Sequence, residues 1–190
     1  LFQKEKVMNK KSLWKFGTRE VVYSAIGAAL YAVLSWATNF LQIPAAGNVA
    51  FRPAVAIPMF FGVVFGPIVG FIAGFLGNII GDLLSGYGFW IWWDLMNGIM
   101  GLVTGLVVLV GLSAYKGWIN ILKVEGFIVL AVLVAAAEAA VSEIWVSGVD
   151  VPTTIATNFV PTIIPNLLNG LILVPILLVA YDAIASRSGR

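Results

Sequence analysis

Residues 21 to about 41 carry no charged side chain, and a run of that length spans a hydrocarbon core of about 30 Å as one helix. The pattern then repeats. A polar, Pro-containing stretch at 42–48 leads to a second apolar segment at 51–65, a Gly66-Pro67 break, and a third segment at 68–84. After an aromatic loop at 85–93, a fourth segment is expected from Asp94 to about residue 112 and a fifth from about 126 to 146. A sixth, at 163–184, follows a polar stretch at 147–158 and contains Pro175, which is expected to kink it. The first segment runs too long without interruption for a cleaved secretory signal, so it is read as a retained helix. The expectation is an all-α membrane protein with six transmembrane helices in one compact bundle over 21–184, a basic leader at 1–20 and a short tail at 185–190. Met8 is a candidate native start, and residues 1–7 are read as an added segment without functional weight.

Composition agrees with this pattern. Of 190 residues, 61% are hydrophobic and only 11% charged, against about 25% charged in soluble chains, which excludes a water-exposed globular domain. The placement of charge sets an orientation. Ten of the eleven cations lie in the leader (Lys4, Lys6, Lys10, Lys11, Lys15, Arg19), the fourth-to-fifth connection (Lys116, Lys123) and the tail (Arg187, Arg190), so both termini are expected to be cytoplasmic. Trp14 and Phe16 would anchor the leader at the headgroups. The net charge of +2 therefore records topology and not a nucleic-acid face. With no Cys and no His, the chain lacks the commonest metal ligands and the commonest general base, so no catalytic or metal site is expected. It also lacks a Gly-rich Lys-Ser/Thr phosphate loop, so no ATP site is expected and uphill movement would need an ion gradient or a partner.

Ionisable groups inside spans cost about 2.5–3.5 kcal/mol on insertion scales and normally face a cavity or a partner. Arg52, the one outer cation, opens the second helix before Pro53 and could snorkel, clamp an anionic ligand or pair with a carboxylate. Asn78 and Asp82 share a helix face, and Asp82 would serve either as a salt-bridge partner of Arg52 or as a ligand contact. Asp94 and Asn97 begin the fourth helix, with Asp94 a candidate cap. Glu138, Ser142 and Trp145 lie on one stripe of the fifth helix, and Glu138 is expected at a cavity while Glu143 points away from it. Asn166 and Asn169 fall at spacing three on the sixth, suited to ligand binding or to interhelical hydrogen bonds. Phe89, Trp90, Trp92 and Trp93 form either an interfacial belt or a wall that stacks on a planar ring. Small residues make two more surfaces. The Gly series 62, 66, 70, 74, 77, 81 and 98, 101, 105 reads as internal helix contact, whereas Ser24, Ala28 and Ala32, with Ala25 and Ala29 on the next stripe, could pack internally or dock a separate membrane subunit.

The Ala-rich first helix, the run Phe65-Gly66-Pro67-Ile68-Val69-Gly70-Phe71 followed by Gly74, Gly77 and Asp82, and Trp92-Trp93 before Asn97-Gly98-Ile99-Met100-Gly101 together resemble a known family. It is the family of substrate-binding S components of energy-coupling factor (ECF) transporters, with the riboflavin-type group most similar. The resemblance implies a multi-pass protein of a prokaryotic cell membrane that captures a vitamin-class small molecule from outside. A transmembrane coupling subunit and two ATPase subunits would supply the drive, and no cofactor beyond the bound substrate would be needed. The resemblance assigns Ala25, Ala28, Ala29 and Ala32 to the coupling-subunit contact. The ligand site is expected in the outer half, drawn from Arg52, Asp82, Trp90, Trp93, Asn97, Glu138, Trp145, Asn166 and Asn169. The competing function is an autonomous proton-coupled carrier or channel using Asp82 and Glu138. An intramembrane enzyme ranks last for want of His, Cys and metal-ligand spacing.

Overall fold

A computed structural model of the chain describes residues 13–43 and 49–187. The leader cations Lys4, Lys6, Lys10 and Lys11, the tail's Arg190 and the centre of the first connection lie outside these residues. The described chain is almost entirely helical: α1 Thr18–Ala37, α2 Ala56–Phe65, α3 Pro67–Leu84, α4 Ile91–Gly105, α5 Trp118–Val146, α6 Val151–Thr154 and α7 Val160–Arg187. Two-residue strands β1 Gln42–Ile43 and β2 Val49–Ala50 pair antiparallel, with Gln42 opposite Ala50.

Among the described residues, five helical stretches are long and apolar enough to cross a membrane: Thr18–Ala37, Pro67–Leu84, Ile91–Val110, Trp118–Val146 and Val151–Arg187. The second expected span is different. Helical structure there covers only Pro53–Phe65, which at 1.5 Å per residue reaches about 20 Å, short of the hydrocarbon thickness. Its limit is set by Gly66 at φ 112°, a backbone state that favours glycine, followed by Pro67 at the first position of α3.

Several boundaries depart from the sequence pattern. The fourth helix begins at Ile91 with Trp90 as its N-cap, so Asp94 lies inside the first turn and is not a cap. The fifth begins at Trp118, two turns before the apolar run, because polar residues can complete a helix outside the membrane core. The expected polar connection at 147–158 is helical from Val151, where Asp150 accepts a hydrogen bond from the Thr153 backbone N–H. A π-helical segment, Ile155–Phe159, joins α6 to α7, and α7 continues through both Pro165 and Pro175.

Small residues set the spacing of the bundle. A Cβ on Gly62 of α2 or Gly70 of α3 would collide with the Gly101 carbonyl of α4, and one on Gly74 would collide with the Asn97 carbonyl. Three helices thus meet backbone to backbone around Gly101. On the other side of α3, a Cβ on Gly77 would meet the Tyr31 ring at 2.7 Å and the Ala28 carbonyl at 2.9 Å, which places α1 against it. The apolar core runs through Tyr31, Met59, Met100, Ile128, Val174 and Leu178, all fully buried. Outward-facing residues of α1, α5 and α7, such as Leu30, Val33, Leu130, Leu133, Ile172 and Ile176, are apolar and exposed, as a lipid-facing surface requires.

The two ends of the bundle differ in chemistry. At one end, Tyr23 stacks on Phe65 at 4.1 Å, and Tyr181 packs edge-on against Phe60, Phe65 and Tyr115. Lys116 pairs with Asp182 there at 2.7 Å. The opposite end gathers Asn78, Asp82, Asp94 and Asn97, all buried.

Candidate functional site

Asn78 is the hub of that polar end. It lies on the α3 face turned toward α1 and α4, 1% exposed, and uses its whole amide. Its Oδ1 accepts from Arg52 Nη1 at 3.0 Å and from the Tyr31 hydroxyl at 3.1 Å. Its Nδ2 donates to Asp82 Oδ2 at 2.8 Å and to Asp94 Oδ1 at 2.7 Å. Arg52 Nη2 closes an ion pair on Asp82 Oδ1 at 2.8 Å, and the Tyr31 hydroxyl also lies 2.8 Å from Asn97 Oδ1. Three helices, α1, α3 and α4, and the residue preceding Pro53 are therefore joined by one connected network, in which each bond is strengthened by the low dielectric around it. Asp94 is fully buried, and its Oδ2 has no hydrogen-bond partner among the described residues.

A cavity of about 480 Å³ opens above this network, within the range of small-molecule sites. Its floor is Arg52, Asn78, Asp82 and Asn97; Trp90, Trp93 and Tyr87 give aromatic wall, and Glu143, Thr162 and Asn166 close it from α5 and α7. The early start of α4 explains the ring placement. With Ile91 as the first helical residue, Trp93 and Asn97 fall one turn apart on the inner face, and Asn97 Nδ2 donates to the Trp93 carbonyl at 2.9 Å. Trp93 Nε1 donates to Glu143 Oε1 at 2.9 Å, and Trp90 Nε1 to the Tyr87 carbonyl at 2.9 Å. Asn166 Nδ2 is held by the Thr162 carbonyl, which leaves the Asn166 carbonyl oxygen for other partners.

Of the residues singled out from sequence, the structure brings Arg52, Asp82, Trp90, Trp93, Asn97 and Asn166 onto this one cavity. Arg52 and Asp82 pair with each other. Glu138, Trp145 and Asn169 are not among its lining residues. Both Glu138 carboxylate oxygens are buried without a hydrogen-bond partner, as is Asn169 Nδ2. Trp145 is 77% exposed and packs on Trp92 at 6.2 Å, outside the cavity. The alanine stripe divides as well: Ala28 and Ala32 are buried within the bundle, while Ala25 and Ala29 are exposed.

Glu143 is the carboxylate that sequence reasoning passed over. The signal was the small-residue stripe of α5: Ala136, Ala139 and Ala140 are buried, and Glu143 lies three and four residues beyond the last two, so it continues their face. Glu138 sits off that face. Among the described residues, no group of three or more Asp, Glu, His or Cys side chains could hold a metal ion.

Comparison with known proteins follows the same lines. The family described as ECF-type riboflavin transporter, S component, matches residues 15–183. A UPF0397 protein of Vibrio vulnificus strain YJ016 is 41% identical over 116 residues, 60% of this chain and 63% of its own length. A UPF0397 protein of Vibrio atlanticus strain LGP32 is 38% identical over 91 residues, 48% of this chain and 49% of its own. The matched stretch thus spans less than two thirds of these relatives. No solved structure matches the chain. Long apolar helices and a family match across almost the whole sequence converge: the chain is a multi-pass membrane protein and belongs to the family of S components of ECF-type riboflavin transporters.

Proposed function

We propose that this protein is the substrate-capturing subunit of an ATP-driven importer for a vitamin-class small molecule, and that the cavity beside the Asn78 network is its binding site. The observation that carries the reading is the cavity itself, a chamber of about 480 Å³ with aromatic walls and a polar floor in a chain without its own phosphate loop. Trp90 and Trp93 would stack on a ring, while Asn97 and Asn166 would fix its polar edge. In this reading the cavity end faces outward, which is supported by the gathering of Arg19, Lys116, Lys123 and Arg187 toward the other end, as cytoplasmic cations would be. A transmembrane coupling subunit and two ATPases supply the energy, with the exposed Ala25 and Ala29 as contact positions for the former.

The test is to purify the protein in detergent, denature it and identify what is released by absorbance and mass spectrometry. A bound heterocycle that is lost in a folded Asn166→Ala variant is expected, together with co-purification of a coupling subunit. Accumulation of solute by the chain alone in liposomes under a proton gradient, with no ATPase present, would overturn the reading in favour of an autonomous carrier.

A further inference from the structure

The charges around the cavity do not balance. Arg52 is the one cation on its wall among the described residues, and its guanidinium is paired with Asp82 at 2.8 Å and donates to the Asn78 amide oxygen at 3.0 Å. Glu143 faces the same space from α5 and has no cation within ion-pair distance among the described residues; the one hydrogen bond to its carboxylate from a described residue comes from the neutral Trp93 indole. Asp94 adds a third carboxylate just beneath the floor, with one oxygen on Asn78 and the other unpartnered. Even with a proton on Asp94, Arg52 faces two carboxylates. The site as built is therefore negative, and its aromatic faces act in the same direction, since ring quadrupoles attract cations. Arg52 already lies 5.8 Å over the Tyr87 ring.

An anionic ligand would meet the opposite situation. It would be desolvated beside Glu143, and the guanidinium, although it has N–H groups left over, already has its charge matched by Asp82 at 2.8 Å, so a second anion there would go unneutralised.

From this imbalance we infer that the cavity selects a positively charged planar ligand, a protonated or quaternised nitrogen heterocycle or an aromatic amine, with Glu143 as the residue that reads the charge, and rejects anionic counterparts such as phosphate esters of the same ring. The inference rests on the cavity being the substrate site. It adds to the proposed function the charge class of the substrate and a named specificity residue.

The test uses three planar probes of one shape and different charge, benzamidinium, benzamide and benzoate, titrated at millimolar concentration into the full chain in detergent and followed by saturation-transfer NMR. Benzamidinium is expected to bind at least about tenfold more tightly than benzoate, with benzamide between them. Glu143→Gln, which keeps the shape and an acceptor for the Trp93 indole, is expected to bring benzamidinium down to the benzamide level and leave benzamide unchanged. Glu143→Asp restores part of the preference. An Asn166→Phe variant, checked for folding by its melting temperature, obstructs the cavity and is expected to weaken the binding of every probe that binds. Equal binding of the three probes, a preference for benzoate, binding of none, or a preference that survives Glu143→Gln overturns the charge inference. Probe binding that survives Asn166→Phe overturns the cavity as the site, so the two failures are distinguishable.

Discussion

Trp93 on α4 and Glu143 on α5 are tied by an indole N–H donated to a carboxylate oxygen at 2.9 Å, across 50 residues of sequence. This contact fixes both the plane of the ring and the position of the charge on the cavity wall. A hydrogen bond to a charged acceptor contributes about 1.5–3 kcal/mol, and partial solvent access at this site favours the lower end. Trp93→Phe keeps most of the ring and removes the donor, so it should cost about 1–2 kcal/mol. Thermal unfolding in detergent of Trp93→Phe, Glu143→Ala and the double variant is expected to show a coupling of about 1 kcal/mol. Simple additivity would mean that the contact carries no energy.

Arg52 and Asp82 should respond asymmetrically to single and paired replacement. Removing one partner of a buried ion pair leaves an uncompensated charge, at a cost of about 3–5 kcal/mol. Arg52→Met strands Asp82 among Asn78 and Asp94, and Asp82→Leu strands the guanidinium beside Tyr31. The double variant removes both charges and should recover more than half of either loss, read as melting temperature in one detergent. A double variant less stable than both singles would show that the pair supports the network beyond its own charge balance.

Glycines in this bundle fall into two groups with opposite expectations. Gly62→Ala or Gly70→Ala drives a methyl into the Gly101 carbonyl, which belongs to backbone and cannot rotate away. Such overpacking costs about 3 kcal/mol or more where three helices meet. Gly126→Ala on α5 meets nothing within 4 Å, and replacing a helical glycine should add about 0.5–1 kcal/mol. Size-exclusion profiles and melting curves of the three variants separate these outcomes, and a well-folded Gly62→Ala would show that the helices can spread at little cost.

The apolar segments, the Gly66-Pro67 break and the glycine contacts were legible from sequence because each follows from a local rule: span length, backbone permissiveness, or spacing along one helix face. Six of the nine expected site residues meet at the cavity for a related reason, since polar groups on apolar helices have few places to go. What failed to show was phase. The choice between Glu138 and Glu143 turns on which side of α5 meets α4 and α7, and hydrophobicity gives no answer on a helix that is apolar all round. The early start of α4, which moves Trp93 onto the inner wall and Asp94 into the buried network, depends on packing against α3 and α5 and leaves no local signature. Asn78 as a fully committed hub likewise exists only once α1, α3, α4 and Arg52 are brought together.

The split of the α1 alanines yields a test of the proposed coupling contact that folding alone cannot mimic. Ala28 is 4% exposed and its carbonyl lies against Gly77, so Ala28→Leu forces α1 off α3 and should destabilise the protein by about 1–3 kcal/mol. Ala25 and Ala29 lie on the exposed side of the same helix, near Val22, Ile26 and Val33, where a larger side chain enters only lipid or a partner. Ala25→Leu/Ala29→Leu should therefore melt within about 0.5 kcal/mol of the parent and keep its ligand. If a coupling helix packs closely on this face, the same double variant should lose co-purification with that subunit, because close backbone approach depends on small side chains. Retained co-purification in a folded, ligand-bound double variant would place the coupling contact on another face of the bundle.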